Sequence, residues 1–434
     1  DGDMGWDGLS LGRRRVVAGL VVAGLALAAC APRFPSSAPP PPGPPPARAE
    51  GSGADHHPPA DGPLTVALLL PLSGKAGAIG GRLRTAAETM AETTPNRLRL
   101  IAFDTQGPQG AVTAARAAIA AHADLIVGPL FGRDAQAVRP IVEEAGLTAL
   151  ALTNNASAGG ARLWALGHAP EPQVRRVLAL AAGRGEGRVM VIGPDTAYAR
   201  LALTQARAMA AEAGGVTVVG ASLYPPGTPY GALAESLRAM VRTPADVVLI
   251  PAGGLDLIAV SSVLAYYGET TGHRPVGTDL WEGPRPLSRE TSLRGGWFTS
   301  ANPFPAFPPS AETVAGSPDG GAAQRRDPDK LEALVMDGVA VAQAWDRVTP
   351  LAEFLERPGG FSGASGVFRL GPQGDVERAY GVMEIGSDET IALDPPLAVF
   401  PAGGSPLGLG RATLPPEDSP ASEVPPPNAP IPGV

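Results

Sequence analysis

Few residues of this chain carry chemistry of their own. Cys30 is the single cysteine among 434 residues, so no intramolecular disulfide is available to it. It follows Leu27-Ala28-Ala29, the small-residue run that a lipoprotein signal peptidase accepts, which marks its thiol as the atom that receives a lipid. Ahead of it, Arg13-Arg14-Arg15 and the stretch Val16–Ala29, made wholly of Ala, Val, Leu and Gly, have the order of a signal peptide. That stretch is shorter than the roughly 20 apolar residues that span a bilayer. Cleavage at an Ala-x-Ala site with Cys30 incidental is the alternative, and a lone thiol kept in an exported chain speaks against it.

Catalytic spacing is missing. There is no nucleophile elbow, no His-Glu-x-x-His, no P-loop and no paired-cysteine motif, and His168 has no acid partner in its neighbourhood. Five histidines and one cysteine leave little material for a metal site, and His56-His57 stands in a Pro-rich stretch. The expectation is a chain that is not an enzyme, with no cofactor and no metal. The net charge of −8, without a basic block after the signal, sets nucleic acid aside as a partner.

Half of the proline is localised: 24 of the 49 prolines fall in Ala31–Pro63 and Asp394–Val434. The first stretch, with Pro39-Pro40-Pro41-Pro42 and Pro44-Pro45-Pro46, favours extended polyproline. At roughly 3.1 Å per residue it is a spacer of up to about 100 Å behind the lipid. The second holds too few large apolar residues for a core and reads as a disordered tail, either inert or a docking segment for a Pro-binding partner. The organisation is therefore a signal peptide at 1–30, a linker at 31–63, a globular region at 64–393 and a tail at 394–434.

Between Pro63 and Leu393, apolar runs of strand length alternate with helical stretches, the pattern of an α/β fold. The predicted strands are Leu64–Pro71, Leu98–Asp104, Asp124–Gly128, Thr148–Leu152, Arg188–Gly193, Val216–Leu223 and Val247–Pro251. Most are apolar throughout, as strands covered on both faces should be. The predicted helices are Gln109–His122, Asp134–Ala145, Pro172–Gly183, Ala197–Ala213, Tyr230–Val241 and Leu255–Tyr267. A further helix, Pro328–Val348, would be capped by Asp327 and place Trp345 in the core. Gly366–Leu370 and Ala379–Glu384, joined through Gly371–Asp375, read as a hairpin closing the second lobe. One set of βα units ends near Gly167–Pro170 and another begins. Two doubly wound lobes follow, roughly 64–168 and 169–278 with later segments returning to each, and a hinged cleft beyond the carboxyl ends of the strands.

Several segments resemble one family. Val66-Ala67-Leu68-Leu69-Leu70-Pro71-Leu72-Ser73-Gly74, Phe103-Asp104-Thr105, Leu125-Ile126-Val127-Gly128-Pro129-Leu130, Ala149–Asn155 and Gly366-Val367-Phe368-Arg369-Leu370 with Gly374 and Arg378 are similar to the type I periplasmic binding-protein fold. The likeness is greatest to its penicillin-binding protein activator branch, which is related to the leucine/isoleucine/valine-binding proteins. The resemblance implies two lobes joined by three crossovers. Transport members hold a small ligand and pass it to a permease. Activator members are outer-membrane lipoproteins that stimulate a peptidoglycan synthase, a class A penicillin-binding protein. The chain departs from both patterns. Thr153-Asn154-Asn155 stands where amino-acid binders carry a Ser/Thr-rich carboxylate loop, and only linker follows Cys30 where activators carry a helical-repeat domain.

On that fold the cleft-facing candidates are Ser73, Gly74, Thr153, Asn154, Asp195, Tyr198, Asp279 and Trp281, which could hold a small polar ligand or an amino acid. Local roles compete. Gly74, Gly128 and Gly193 suit turns, Thr153 and Asn154 could cap the next helix, Asp195 could bind an ammonium or cap the helix near Ala197, and Tyr198 and Trp281 could stack on a ligand or roof the lobe interface. The lipobox and spacer favour a lipid-anchored periplasmic activator at the outer membrane, and a solute receptor of an amino-acid ABC transporter is the alternative.

Overall fold

Residues Leu64–Leu70 form strand β1 and divide between two cores. Leu64, Val66, Leu68 and Leu70 go to one side, Ala67 and Leu69 to the other, and all six are buried. A strand with period-two side chains and no wet face belongs inside a parallel sheet. The computed structural model describes residues 62–212, 214–267, 272–283, 287–301, 328–397 and 400. Cys30, the signal peptide, nearly all of the linker and nearly all of the Pro-rich tail lie outside the described residues.

Along the chain follow α1 (Gly77–Glu92), β2 (Leu98–Asp104), α2 (Gly110–Ala120), β3 (Leu125–Val127), α3 (Gly132–Glu144), β4 (Ala149–Ala151) and β5 (Leu163–Ala165). The five strands are parallel in the order β2-β1-β3-β4-β5. Helices α2 and α3 cover one face with small and branched residues such as Ala115, Ala118, Val138 and Val142. The chain crosses at 166–169 into a second lobe of α4 (Pro170–Gly183), β6 (Arg188–Pro194), α5 (Ala197–Ala211), β7 (Thr217–Tyr224), α6 (Tyr230–Leu237), β8 (Val247–Ile250), α7 (Gly254–Tyr267), β9 (Arg274–Gly277) and β10 (Trp297–Ser300). It returns to the first lobe as α8 (Lys330–Ala344), α9 (Leu351–Leu355), β11 (Phe361–Gly363), β12 (Gly366–Leu370) and β13 (Val376–Arg378). A third crossing at 379–380 leads to β14 (Gly381–Ile385) and β15 (Thr390–Asp394). These complete the second sheet, ordered β15-β14-β10-β9-β8-β6-β7, with β14 and β15 antiparallel at one edge. The architecture is α/β with two doubly wound lobes.

Four sequence expectations shift. The hairpin partner of β12 is β13, not 379–384, and these strands join β11 in a separate three-stranded sheet. That sheet packs on the first lobe through Phe361, Phe368 and Leu370, while Gly381–Ile385 pairs with β10 in the second. Gly371–Asp375 makes the tight turn that ends β12, so the alternation beyond Arg378 belongs to a different sheet. Helix α8 starts two residues later than predicted, because Asp329 accepts from the Glu332 amide at 2.9 Å and Glu332 returns the bond to the Asp329 amide at 2.9 Å. This is a complete capping box; Asp327 is outside the described residues. Gly193 does not make a turn but lies inside β6 against the Pro251 ring. Residue 394, assigned to the tail, ends strand β15. Trp345 is buried where α8 ends.

Gly128 has φ +110, and a side chain there would overlap the Leu69 carbonyl of β1. This close approach is what brings the loop after β3 alongside the loop after β1.

Phe368 is fully buried and stacks on Phe361 at 5.5 Å between centroids. Phe368→Ala is expected to cost about 3–5 kcal/mol, read as a lower midpoint in urea unfolding.

Candidate functional site

In an open parallel sheet, the crevice for a ligand lies outside the carboxyl ends of the strands, where the strand order reverses. In the first lobe that point falls between β1, which leads outward to β2, and β3, which starts the other direction. A pocket of about 500 Å³ is found there, lined by Lys75 and Ala76 after β1, Gln106 after β2, and Phe131, Gly132 and Arg133 after β3.

The loops around it are fixed by their own polar groups. Asp104, at the end of β2, accepts from the amides of Leu72 and Gln106, both at 2.9 Å, and from the Ser73 hydroxyl. Burial works to raise its carboxyl, but these hydrogen bonds outweigh it and hold Asp104 below the ordinary carboxylate range. Gly74 takes φ +65 and opens a short 3-10 turn, which projects Lys75 and Ala76 over the sheet end. Gln106 donates to Asp134 at 3.0 Å, in the first turn of α3, and exposed Arg133 lies 3.4 Å from the same carboxylate. Lys75, Arg133 and the start of α3 present positive charge and open amides to the pocket.

The predicted cleft residues separate by role. Ser73 is spent on Asp104 and Gly74 on the turn, both next to the pocket. Thr153 is buried and accepts from the Asn155 amide at 3.1 Å; Asn154 is exposed. Neither caps a helix, because Asn155 caps the short 3-10 turn that follows. Asp195 also does not cap: Thr196 accepts from Ala199 at 3.1 Å to start α5, while Asp195 takes both guanidinium arms of Arg200 at 2.6 and 2.7 Å. Trp281 is removed from the cleft. Its ring lies over Gly277, stacks on Phe298 at 6.0 Å and donates to the Ile250 carbonyl at 3.0 Å, all within the core of the second lobe. Sequence reasoning missed Lys75, Gln106 and Arg133, although each follows a predicted strand end by a few residues.

Asp279 and Tyr198 gather instead at the hinge. Asp279 is buried, and its Oδ2 lies 2.6 Å from Nδ1 of His168, so His168 does have an acid partner, distant in sequence and adjacent in space. Lys330, from the first lobe, donates to the Asp279 carbonyl and lies 3.2 Å from its Oδ2 and 3.0 Å from Glu282 Oε2. Gln173 organises the floor: its Oε1 accepts from the Asp279 amide and the Thr299 hydroxyl, both at 2.8 Å, and its Nε2 donates to Ala169 O at 3.0 Å and Tyr198 Oη at 3.3 Å. Burial alone would raise Asp279, but His168 and Lys330 hold it well below the carboxylate range. Burial, reinforced by Arg378, pushes His168 down to about 4, so it is neutral at pH 7 and donates its Nδ1 proton to Asp279. Burial and the Asp279 charge raise Tyr198 and Tyr380 well above 10. His168 Nε2 is buried and makes no hydrogen bond among the described residues. The described residues hold no group of three His, Cys, Asp or Glu placed to bind a metal.

Two sheet-based lobes, three crossings between them and a pocket at a strand-order reversal now stand together. A family model described as periplasmic binding protein matches residues 63–345. The chain belongs to that family. Among solved structures, this binding protein is similar to a putative branched-chain amino acid ABC transporter from Rhodospirillum rubrum, with TM-score 0.61 and 17% identity over 76% of this chain and 100% of that one. A leucine binding protein from Thermotoga maritima has TM-score 0.52 and 19% identity over 78% and 98%. A solute binding protein of an ABC transporter from R. palustris, in complex with benzoate, has TM-score 0.55 and 16% identity over 78% and 98%. At these identities the likeness is one of fold, the type I form. No curated protein matches. Among the described residues, no helix is long and apolar enough to cross a membrane.

The hinge makes stability fall in acid. His168 has its folded-state value near 4, below the ordinary 6.5, so the unfolded chain binds the extra proton first and stability is lost as pH falls from about 6.5 towards 4. Asp279, depressed as well, adds its loss below the ordinary carboxylate value. This binding protein is expected to lose up to about 1.4 kcal/mol per pH unit through His168 in that window. Urea unfolding at pH 7, 6 and 5 reads the slope, and His168→Gln should flatten it.

Proposed function

We propose that this chain is a solute-binding receptor of an importer, and that it takes a small anionic solute, such as a carboxylate, in the first-lobe pocket. One observation carries the reading: the pocket at the strand-order reversal is faced by two exposed cations, Lys75 and Arg133, and by the amino end of α3. Across the cleft, Asp195 is already paired with Arg200. The chain acts by binding and release, not by catalysis. Its site is the periplasm, and Cys30 would tether it to a membrane by lipid, the outer membrane being favoured because Ala31 follows the cysteine. The solved structures similar to it, which include leucine- and benzoate-binding proteins, support the class of solute receptor.

A second reading, activation of a class A penicillin-binding protein, is favoured by a different observation. Lys330 joins the two lobes at the hinge through groups of the chain itself, which suits a domain that docks on a partner in one fixed shape. The lipobox and the Pro-rich spacer give it the tether and reach.

Thermal melting with a panel of small carboxylates, amino acids and muropeptides separates the two. A solute at 100 times its dissociation constant should add about 2.7 kcal/mol of stability, and Lys75→Ala combined with Arg133→Ala should weaken it at least tenfold by calorimetry. A flat panel, together with capture of the synthase and a faster glycan polymerisation rate, would transfer the assignment to the second reading.

A further inference from the structure

Lys330 is the first residue of α8, where the helix dipole disfavours a cation. The helix does not account for it, since Asp329 and Glu332 already complete the capping box and share Arg82, 2.6 and 3.5 Å away. Its ammonium instead leaves the first lobe and meets three oxygens of the second: the Asp279 carbonyl, Asp279 Oδ2 and Glu282 Oε2. One hydrogen bond and two ion-pair contacts surround the ammonium with three oxygens, as many as it has N–H groups. Asp279 is 1% exposed and its other oxygen, Oδ1, is buried without a partner.

The acceptors and the donor belong to different lobes. Asp279–Trp281 forms a 3-10 turn pinned by Trp281 in the core of the second lobe, and Glu282 follows directly. Lys330 rides on α8, which packs against β1 and β3 through Leu334, Val335 and Val339. Among the described residues, no hydrogen bond or ion pair joins the loops after β1–β4 to those after β6–β8, so the cleft mouth offers no comparable tie.

We propose that the turn Asp279–Glu282 is an ammonium-binding site which the chain fills with its own Lys330, latching the second lobe to the first. Closure then does not depend on an amine supplied from outside. If Lys330 is cut back, the vacated cradle accepts a free primary ammonium. The inference goes beyond the solute assigned to the Lys75–Arg133 pocket and holds whichever solute the cleft takes.

The test is the distance between nitroxides at Glu88→Cys on α1 and Arg207→Cys on α5, in the full chain carrying Cys30→Ser and without solute. Both positions are exposed. The parent should give one narrow population and Lys330→Ala a broader, longer one. Excess ethylammonium should restore the narrow population in Lys330→Ala, and tetramethylammonium, which has no N–H to donate, should not. Superimposable distributions for parent and Lys330→Ala would overturn the latch, as would equal effects of the two cations. If Lys330→Ala shows no cooperative melt, Glu282→Gln decides: a partial broadening supports the latch and an unchanged distribution refutes it. Because no solute is present, the result is independent of whether Lys75 and Arg133 bind one.

Discussion

The guanidinium of Arg378 is the group around which the three crossings are organised. It is buried, and burial pulls it below the ordinary arginine value, so its cost must be met by hydrogen bonds. One arm donates to Leu166 O at 2.5 Å, in the first crossing, and the other to the carbonyl and hydroxyl of Ser365 at 3.1 and 2.9 Å. Ser365 is in turn held by Asp337 of α8, the helix that follows the second crossing, and Arg378 itself begins the third. Arg176 of α4 adds a bond to Tyr380 O at 3.1 Å and an ion pair with Asp394 of β15 at 2.5 Å. Buried charges of this kind contribute little net stability as pairs, but leaving one uncompensated costs several kcal/mol, so they enforce a single arrangement of chain at the hinge.

That arrangement divides labour between two polar regions. The hinge side is dense with buried polar groups that bond one another, His168, Gln173, Asp279 and Lys330 among them. The pocket of the first lobe is the opposite case, with exposed cations and a helix start turned towards open volume. The strongly shifted groups His168, Asp279 and Tyr198 all lie at the hinge.

Much of the fold was legible because both lobes rest on strands apolar on two faces. β2 occupies its predicted residues, and β1, β3, β4, β6, β7 and β8 lie within a residue or so of theirs. Elements without that signature were missed. Helix α1 carries Gly77, Gly80 and Gly81, and Gly80 is there because α1 passes against the Pro71 carbonyl. Strands β5, β9 and β10 are three or four residues long, and β9 contains both Pro275 and Gly277. At the site, the expectation is that loops after the strands face the cleft, but which side chain a loop turns outward depends on bonds the pattern does not carry. Ser73 and Thr153 are consumed by Asp104 and by the Asn155 amide, leaving Lys75 and Arg133 facing the pocket. The contact of His168 with Asp279 joins the first crossing to a turn of the second lobe, and no local spacing announces it. Trp281 had a local sign, a glycine four residues earlier whose missing side chain makes room for the ring.

The antiparallel strands β14 and β15 have a consequence for how this chain comes to be folded. They complete the sheet of the second lobe, yet they are made after every element of the first, so β10 has no neighbour on that side until the end of the domain emerges. Until then Trp297–Ser300 is an open edge with unpaired amides and carbonyls, able to template on another copy. A polypeptide made amino end first presents that edge before its cover, so Gly381–Ile385 and Thr390–Asp394 must be in place before the edge is closed. The edge of β10 stays open to association until β14 arrives.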